Sequence, residues 1–267
     1  MHSILAASAS TTFDLDVFKD ALRPDADLWR ALWTTVYVSV LAQILGTIVG
    51  VISAVGGMSK NRVARLLSAV YVWYFRGTPV LVQILIWTYG SQFIFGFDLF
   101  PREVDIGLAT VPGTVVAGIV ALAFNEGAYM SEIVRAGILA IDVGQMEAAK
   151  SIGMRRRMAM IRIILPQAAR VIIPGLGNEF NNMLKTSSLL QVIGVYELLQ
   201  DAQVWYSKFY RPAEAFLAVS LWYLALTSVW MLIQNQIERY FGASERSETE
   251  RWYTRWLGIR STPAVMR

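Results

Sequence analysis

The chain has 267 residues, of which 55% are hydrophobic and only 16% charged. Soluble domains carry about 25% charged residues, so lipid rather than water is the expected surrounding for much of this surface. With no cysteine, and a single histidine at His2, disulfides, thiolate metal sites, cysteine nucleophiles and histidine triads are excluded, so no catalytic, metal or cofactor residues are assigned. The net charge of +4 is confined to blocks between apolar runs, which points to membrane orientation and away from nucleic acid.

Taken along the chain, residues 1–28 are acidic, are expected to be extracytoplasmic, and do not read as a cleavable signal peptide because a long apolar core is missing. The apolar runs 31–55, 77–97 and 215–237 each reach the roughly 20 residues that cross about 30 Å of hydrocarbon. Between the first two, 66–75 reads as a helix at the membrane interface or as the tilted start of span two, because Tyr71, Trp73, Tyr74 and Phe75 favour that level. A further run, 106–125, continues into Glu126, Tyr129, Glu132 and Arg135. The fifth candidate, 171–190, is interrupted by Glu179, Asn181, Asn182 and Lys185, and bends are expected at Pro166 and Pro174.

Charge asymmetry decides whether that polar segment crosses. Lys60, Arg62, Arg65 and Arg76 form one purely basic block, and seven basic residues stand between Arg135 and Arg170 against Asp142 and Glu147. Residues 1–30 carry three basic and five acidic groups. The tail beyond Glu238 holds six arginines. Basic loops stay in the cytoplasm, so the N-terminus is expected outside and the C-terminus inside, which requires an odd number of spans. The expectation is an all-α integral membrane domain over 29–240 with five transmembrane helices. A cytoplasmic tail, 241–267, follows, in which Trp252 and Trp256 beside Arg251 and Arg255 read as an amphipathic surface helix.

The cytoplasmic loop 136–170 carries the most specific pattern. It reads Glu147-Ala148-Ala149, three residues, Gly153, nine residues, Ile163, one residue, Leu165-Pro166. Residues 143–151 suit a short helix with Asp142 as N-cap, and Gly153 suits the left-handed residue that ends one. Arg155, Arg156 and Arg157 then offer donors to an acidic surface or anionic lipid. On the residues alone, an ordinary amphipathic surface helix fits as well.

This loop resembles the coupling loop of the permease subunits of bacterial ABC importers, at every fixed position. Phe75-Arg76-Gly77-Thr78-Pro79, Gly127 to Ile138, Leu165-Pro166-Gln167-Ala168, Leu176 to Phe180 and Leu184 to Leu189 are similar to the polar amino-acid branch of that family. Glu126 departs from it, standing where a small or neutral residue is usual. The resemblance implies a type I importer fold and a coupling helix at 142–154, with Glu147, Ala148, Ala149, Gly153, Arg155 and Arg156 against an ATP-binding subunit. It also implies a second permease in a homo- or heterodimer, an extracytoplasmic substrate-binding protein, and a location in the bacterial inner membrane. No G-x-x-x-x-G-K-[S/T] loop occurs, so ATP and magnesium are expected on the partner and no cofactor on this chain.

Substrate-pathway candidates are Arg76 for a carboxylate, Asn125 and Glu126 for an ammonium or basic side chain, and the hydroxyls of Thr186, Ser187 and Ser188. Each has a plainer reading: Arg76 reaching to water at the membrane edge, Glu126 paired with Lys185, and the hydroxyls bonding neighbouring helices. An ion-gradient-driven transporter or channel subunit is the alternative function, although the repeated halves usual in such folds are not evident.

Overall fold

The computed structural model describes residues 13–90, 93, 94, 96, 97, 99–105, 107 and 110–241. His2 and the tail tryptophans fall outside these residues. A short helix α1 (Leu15–Leu22) begins at the Asp14 cap, whose carboxylate accepts from the Asp16 and Val17 N–H groups. The backbone N–H of Asp14 donates to Glu214 Oε1 at 3.0 Å, which ties α1 to the last helix.

The first long helix, α2 (Ala26–Gly57), starts where Asp25 caps the Leu28 N–H. Its 32 residues give about 48 Å, ample for a crossing. Small residues repeat along one buried stripe: Ala31, Thr35, Ser39, Ala42, Gly46, Gly50 and Ala54. Ala42, Gly46 and Gly50 of that stripe pack along α5 (Gly113–Leu139), the most extensive helix pairing among the described residues, while Ala31 and Thr35 meet Leu198. Without an aqueous hydrophobic effect between spans, such close approach is what makes helix association favourable. A Cβ on Gly50 would lie 2.4 Å from Met130 Cβ and 2.9 Å from the Gly127 carbonyl oxygen.

Helix α3 (Arg62–Gly77) lies against α2 and α5 and is held by hydroxyls. Ser68 donates to the Ser53 carbonyl at 2.8 Å, Ser131 donates to Ser53 Oγ at 3.0 Å, and Tyr71 donates to the Phe124 carbonyl at 2.6 Å. After Thr78 and Pro79 the chain turns by 107° into α4 (Val80–Gly90), whose last turn is a π-helix. The segment 66–75 is therefore part of a helix distinct in direction from span two.

One span boundary needs correction. The run 106–125 is not a helix from its start. Glu103–Asp105 (β1) and Thr110–Pro112 (β2) form an antiparallel hairpin, and α5 begins at Gly113. Pro112 lacks the N–H a helix interior needs, and the Gly113 N–H donates to the Arg102 carbonyl at 3.0 Å. The helix instead runs on to Leu139, because Glu126 and Ser131 face protein, where they cost far less than in lipid.

The short helix expected after Asp142 is α6 (Val143–Ser151). It leads into α7 (Arg156–Ile193), a continuous helix with a π-segment at Met160–Ile164 and a 3-10 end at Ser187–Ile193. The π-segment sits directly before Pro166, where a missing N–H opens the ladder, whereas the helix passes through Pro174 unbroken. Gly194, at φ 78°, ends it. Buried Glu197 then caps α8 (Leu198–Phe209), accepting from the Gln200 N–H at 2.8 Å and the Tyr223 hydroxyl at 2.7 Å. Burial pushes the Glu197 carboxyl above its usual range, and these two bonds pull against that. The described residues end with α9 (Pro212–Phe241).

Among the described residues four helices (α2, α5, α7 and α9) are long and apolar enough to cross a membrane, and the count is five where the bent pair α3–α4 is taken as one span. Replacing Gly50 by alanine should destabilise the α2–α5 contact by about 1–3 kcal/mol. Thermal melting of the detergent-solubilised protein measures this, with Gly77→Ala as the control, since a Cβ there meets nothing within 4 Å.

Candidate functional site

Two regions bring the candidate residues together. The first is a cavity of about 540 Å³ between the α3–α4 corner, α5 and the polar half of α7. Its wall includes Thr78, Val80, Asn125, Glu126, Tyr129, Glu179, Lys185 and Thr186. Glu126 is 5% exposed and is held by Gln43 Nε2, which donates to its Oε1 at 2.9 Å. Its second oxygen accepts from no described residue. The close approach that seats it comes from Gly46, where a Cβ would lie 2.8 Å from the Glu126 side chain.

Lys185 lines the same cavity but forms no ion pair with Glu126; the ion pairs among the described residues are elsewhere. One of them joins Arg135 to Glu132 at 2.6 Å, as their spacing on one helix face predicts. Arg76 is exposed and lies over the Tyr129 ring, its guanidinium carbon 5.3 Å from the centroid. A cation over an aromatic face is attracted by the ring quadrupole, so Arg76 is held at the margin of the cavity.

The three hydroxyls separate. Thr186 lines the cavity. Ser187 is fully buried and donates to the Leu184 carbonyl at 2.9 Å, which commits it to the helix. Ser188 is half-buried and lies outside the cavity wall. In the other direction, Gln43 and Tyr129 belong to this site and the sequence reading did not assign them to it, while Glu179 and Lys185 enter it from the polar segment 171–190. Gln43 sits in a charge-free run, where a single amide carries no signal until its partner helix is known.

The second region is α6 and the start of α7. Asp142 accepts from the Gly144 N–H at 2.6 Å and starts the helix. Gly153, at φ 81°, ends it: its N–H reaches the Lys150 carbonyl at 2.9 Å and the Met154 N–H reaches Ala149 at 3.0 Å. Ala149 is buried against the chain, whereas Glu147 and Ala148 are exposed, with Val143 and Ile152 exposed at the two ends. Beside them, Gly153, Arg155, Arg157, Met158, Ile161 and Arg162 line a second cavity of about 480 Å³. Arg156 is exposed outside it. A Gln167–Gln145 bond of 3.3 Å joins α6 to α7.

A family model described as the binding-protein-dependent transport system inner membrane component matches residues 46–241. The chain belongs to this family. An arginine transport system permease protein of Corynebacterium glutamicum is 39% identical over 216 residues, covering 80% of this permease and 65% of that protein, just under two thirds. A probable amino-acid permease protein of Bacillus subtilis is 36% identical over 192 residues, covering 69% of this permease and 81% of that one. Among solved structures, an amino acid ABC transporter determined with histidines matches with a TM-score of 0.73 at 35% identity, over 86% of this permease and 100% of that chain. A methionine ABC transporter in an inward-facing form shares the fold, with a TM-score of 0.64 at 19% identity, over 80% of this permease and 96% of that chain. The permease thus has the type I importer fold.

Gly153 has open space around it, so a side chain there costs only backbone strain, about 1–2 kcal/mol. Gly153→Val should leave membrane insertion intact and move the end of α6. ATP-driven uptake by the reconstituted transporter should then fall by about tenfold.

Proposed function

We propose that this permease moves a polar amino acid with a cationic side chain inward across the bacterial cytoplasmic membrane, driven by ATP hydrolysed on a separate subunit. The observation that carries the reading is the buried Glu126 carboxylate facing the cavity with one oxygen uncommitted. A second carboxylate, Glu179, and one ammonium, Lys185, share the same wall. Two anionic groups suit an α-ammonium and a cationic side chain, and Lys185, with Arg76 at the margin, suits the carboxylate. A charge in hydrocarbon is too costly to carry without such partners, so the cavity supplies what cargo of this class needs at depth.

Charge asymmetry supports an N-terminus outside and a C-terminus inside, which places α6 in the cytoplasm. There its exposed face, with Glu147, Ala148 and the neighbouring arginines, is the docking surface for the ATP-binding subunit. That subunit holds ATP and magnesium; this chain contributes no catalytic group and no cofactor. A binding protein delivers cargo from outside, and a second permease completes the membrane part of the transporter. The similar proteins named for arginine and for amino-acid transport support the cargo class.

Reconstitution with the partner subunits and the binding protein, using labelled L-arginine as the probe, tests this. Uptake should require ATP and stop with vanadate; undiminished uptake in vanadate would return the ion-gradient alternative. Glu126→Gln should lower L-arginine uptake by at least about tenfold while insertion and vanadate-sensitive ATP hydrolysis persist. Wild-type uptake by that variant removes Glu126 from cargo recognition.

A further inference from the structure

At the corner between α3 and α4 the backbone leaves the helix at Thr78 and Pro79, and the two helices meet at 107°. A break of this kind strips the last carbonyls of α3 of their N–H partners, and Pro79 has none to give. At membrane depth an unpaired carbonyl is expensive, so broken helices persist only where other groups take over those bonds.

Two amides do so here. Gln83, 1% exposed, directs Nε2 to the Phe75 carbonyl at 2.9 Å, the Thr78 carbonyl at 3.1 Å and Thr78 Oγ1 at 2.8 Å. Asn125, on α5, donates Nδ2 to the same Phe75 carbonyl at 3.1 Å and to Gln83 Oε1 at 3.0 Å. Thr78 Oγ1 donates onward to the Tyr74 carbonyl at 2.8 Å. The amides therefore cross-link three pieces: the end of α3, the start of α4 and the middle of α5. Asn125, Thr78 and Val80 are also cavity wall, whereas Gln83 lies behind it.

We propose that Gln83 is a positioning residue for transport: with Asn125 it fixes the α3–α4 corner to α5 and so sets the width of the cavity. Gln83 does not touch cargo. When its amide lets go, the corner is free to move relative to α5, and the wall at Thr78–Val80 opens. The inference rests on reading the cavity as the cargo pathway, but the clamp itself is measurable without cargo.

The chain contains no cysteine, so Val80→Cys supplies a single thiol in this permease, on the cavity wall. Its rate of modification by a small methanethiosulfonate reagent is read in membranes holding the assembled transporter. Gln83→Met keeps the size and removes the bonds; it should raise the labelling rate by about tenfold, the shift expected when buried carbonyls lose their donor. Thr78→Val removes one partner only and should give a smaller rise, about two- to threefold. Because the two amides act as one unit, Gln83→Met and Asn125→Leu combined should exceed the larger single effect by little. A merely structural role predicts less permease in the membrane but an unchanged labelling rate for what is inserted, and that result overturns the proposal. Fully additive effects overturn it too. If Gln83→Met does not insert, the Thr78→Val rate decides alone, an unchanged rate being the negative result. Since no amino acid is added, loss of the Glu126 reading and loss of this one are separate outcomes.

Discussion

Backbone N–H and C=O groups inside a bilayer have no water to turn to, so every interruption of a helix must be answered by another part of the protein. Three interruptions among the described residues have their answer in view. The α3–α4 corner is answered by the amides of Gln83 and Asn125. The proline at 166 is answered by a π-segment immediately before it, which re-spaces the ladder without breaking the helix. The cap of α8 is answered by buried Glu197, whose oxygens take a backbone N–H and the Tyr223 hydroxyl. Irregular backbone therefore occurs where it shapes the cavity wall or turns the chain, and regular helix fills the rest.

The same restriction governs packing. With lipid outside as apolar as leucine, helices associate by approaching closely, and Gly46 and Gly50 let α2 do so against α5. That approach seats a carboxylate: Glu126 lies against the bare Gly46 backbone and reaches Gln43 on the same helix. Packing and polar chemistry are thus not separate layers here. A side chain at Gly46 would disturb both the helix pair and the position of Glu126.

Geometry also links the two functional regions. Helix α5 carries Asn125, Glu126 and Tyr129, then runs to Leu139, three residues before the Asp142 cap of α6. Helix α7 leaves that segment among the arginines and carries Glu179, Lys185 and Thr186 to the cavity. The helices on either side of α6 therefore both line the cavity, together with the α3–α4 corner. The Gln145–Gln167 bond ties α6 to α7 as well.

What the sequence determined by itself is the part that depends on composition and on neighbours along the chain. Apolar run length marks the candidate crossings, and 171–190 lies within a helix long and apolar enough to be one of them. Local capping chemistry sets α6 from Asp142 to Gly153 to within a residue, because a cap and a left-handed glycine act over one turn. Hydropathy does not see hydrogen bonds, so it places the third span too early and misses the hairpin before Gly113. Nor does it sort the hydroxyls, since whether Thr186 or Ser187 faces the cavity depends on rotation about an axis that only the neighbouring helices fix. Gln43 and Gln83 were illegible for the same reason. An amide in an apolar run is only a tolerated polar group until the tertiary structure shows which carbonyl or carboxylate, dozens of residues away or across a broken turn, it was placed to meet.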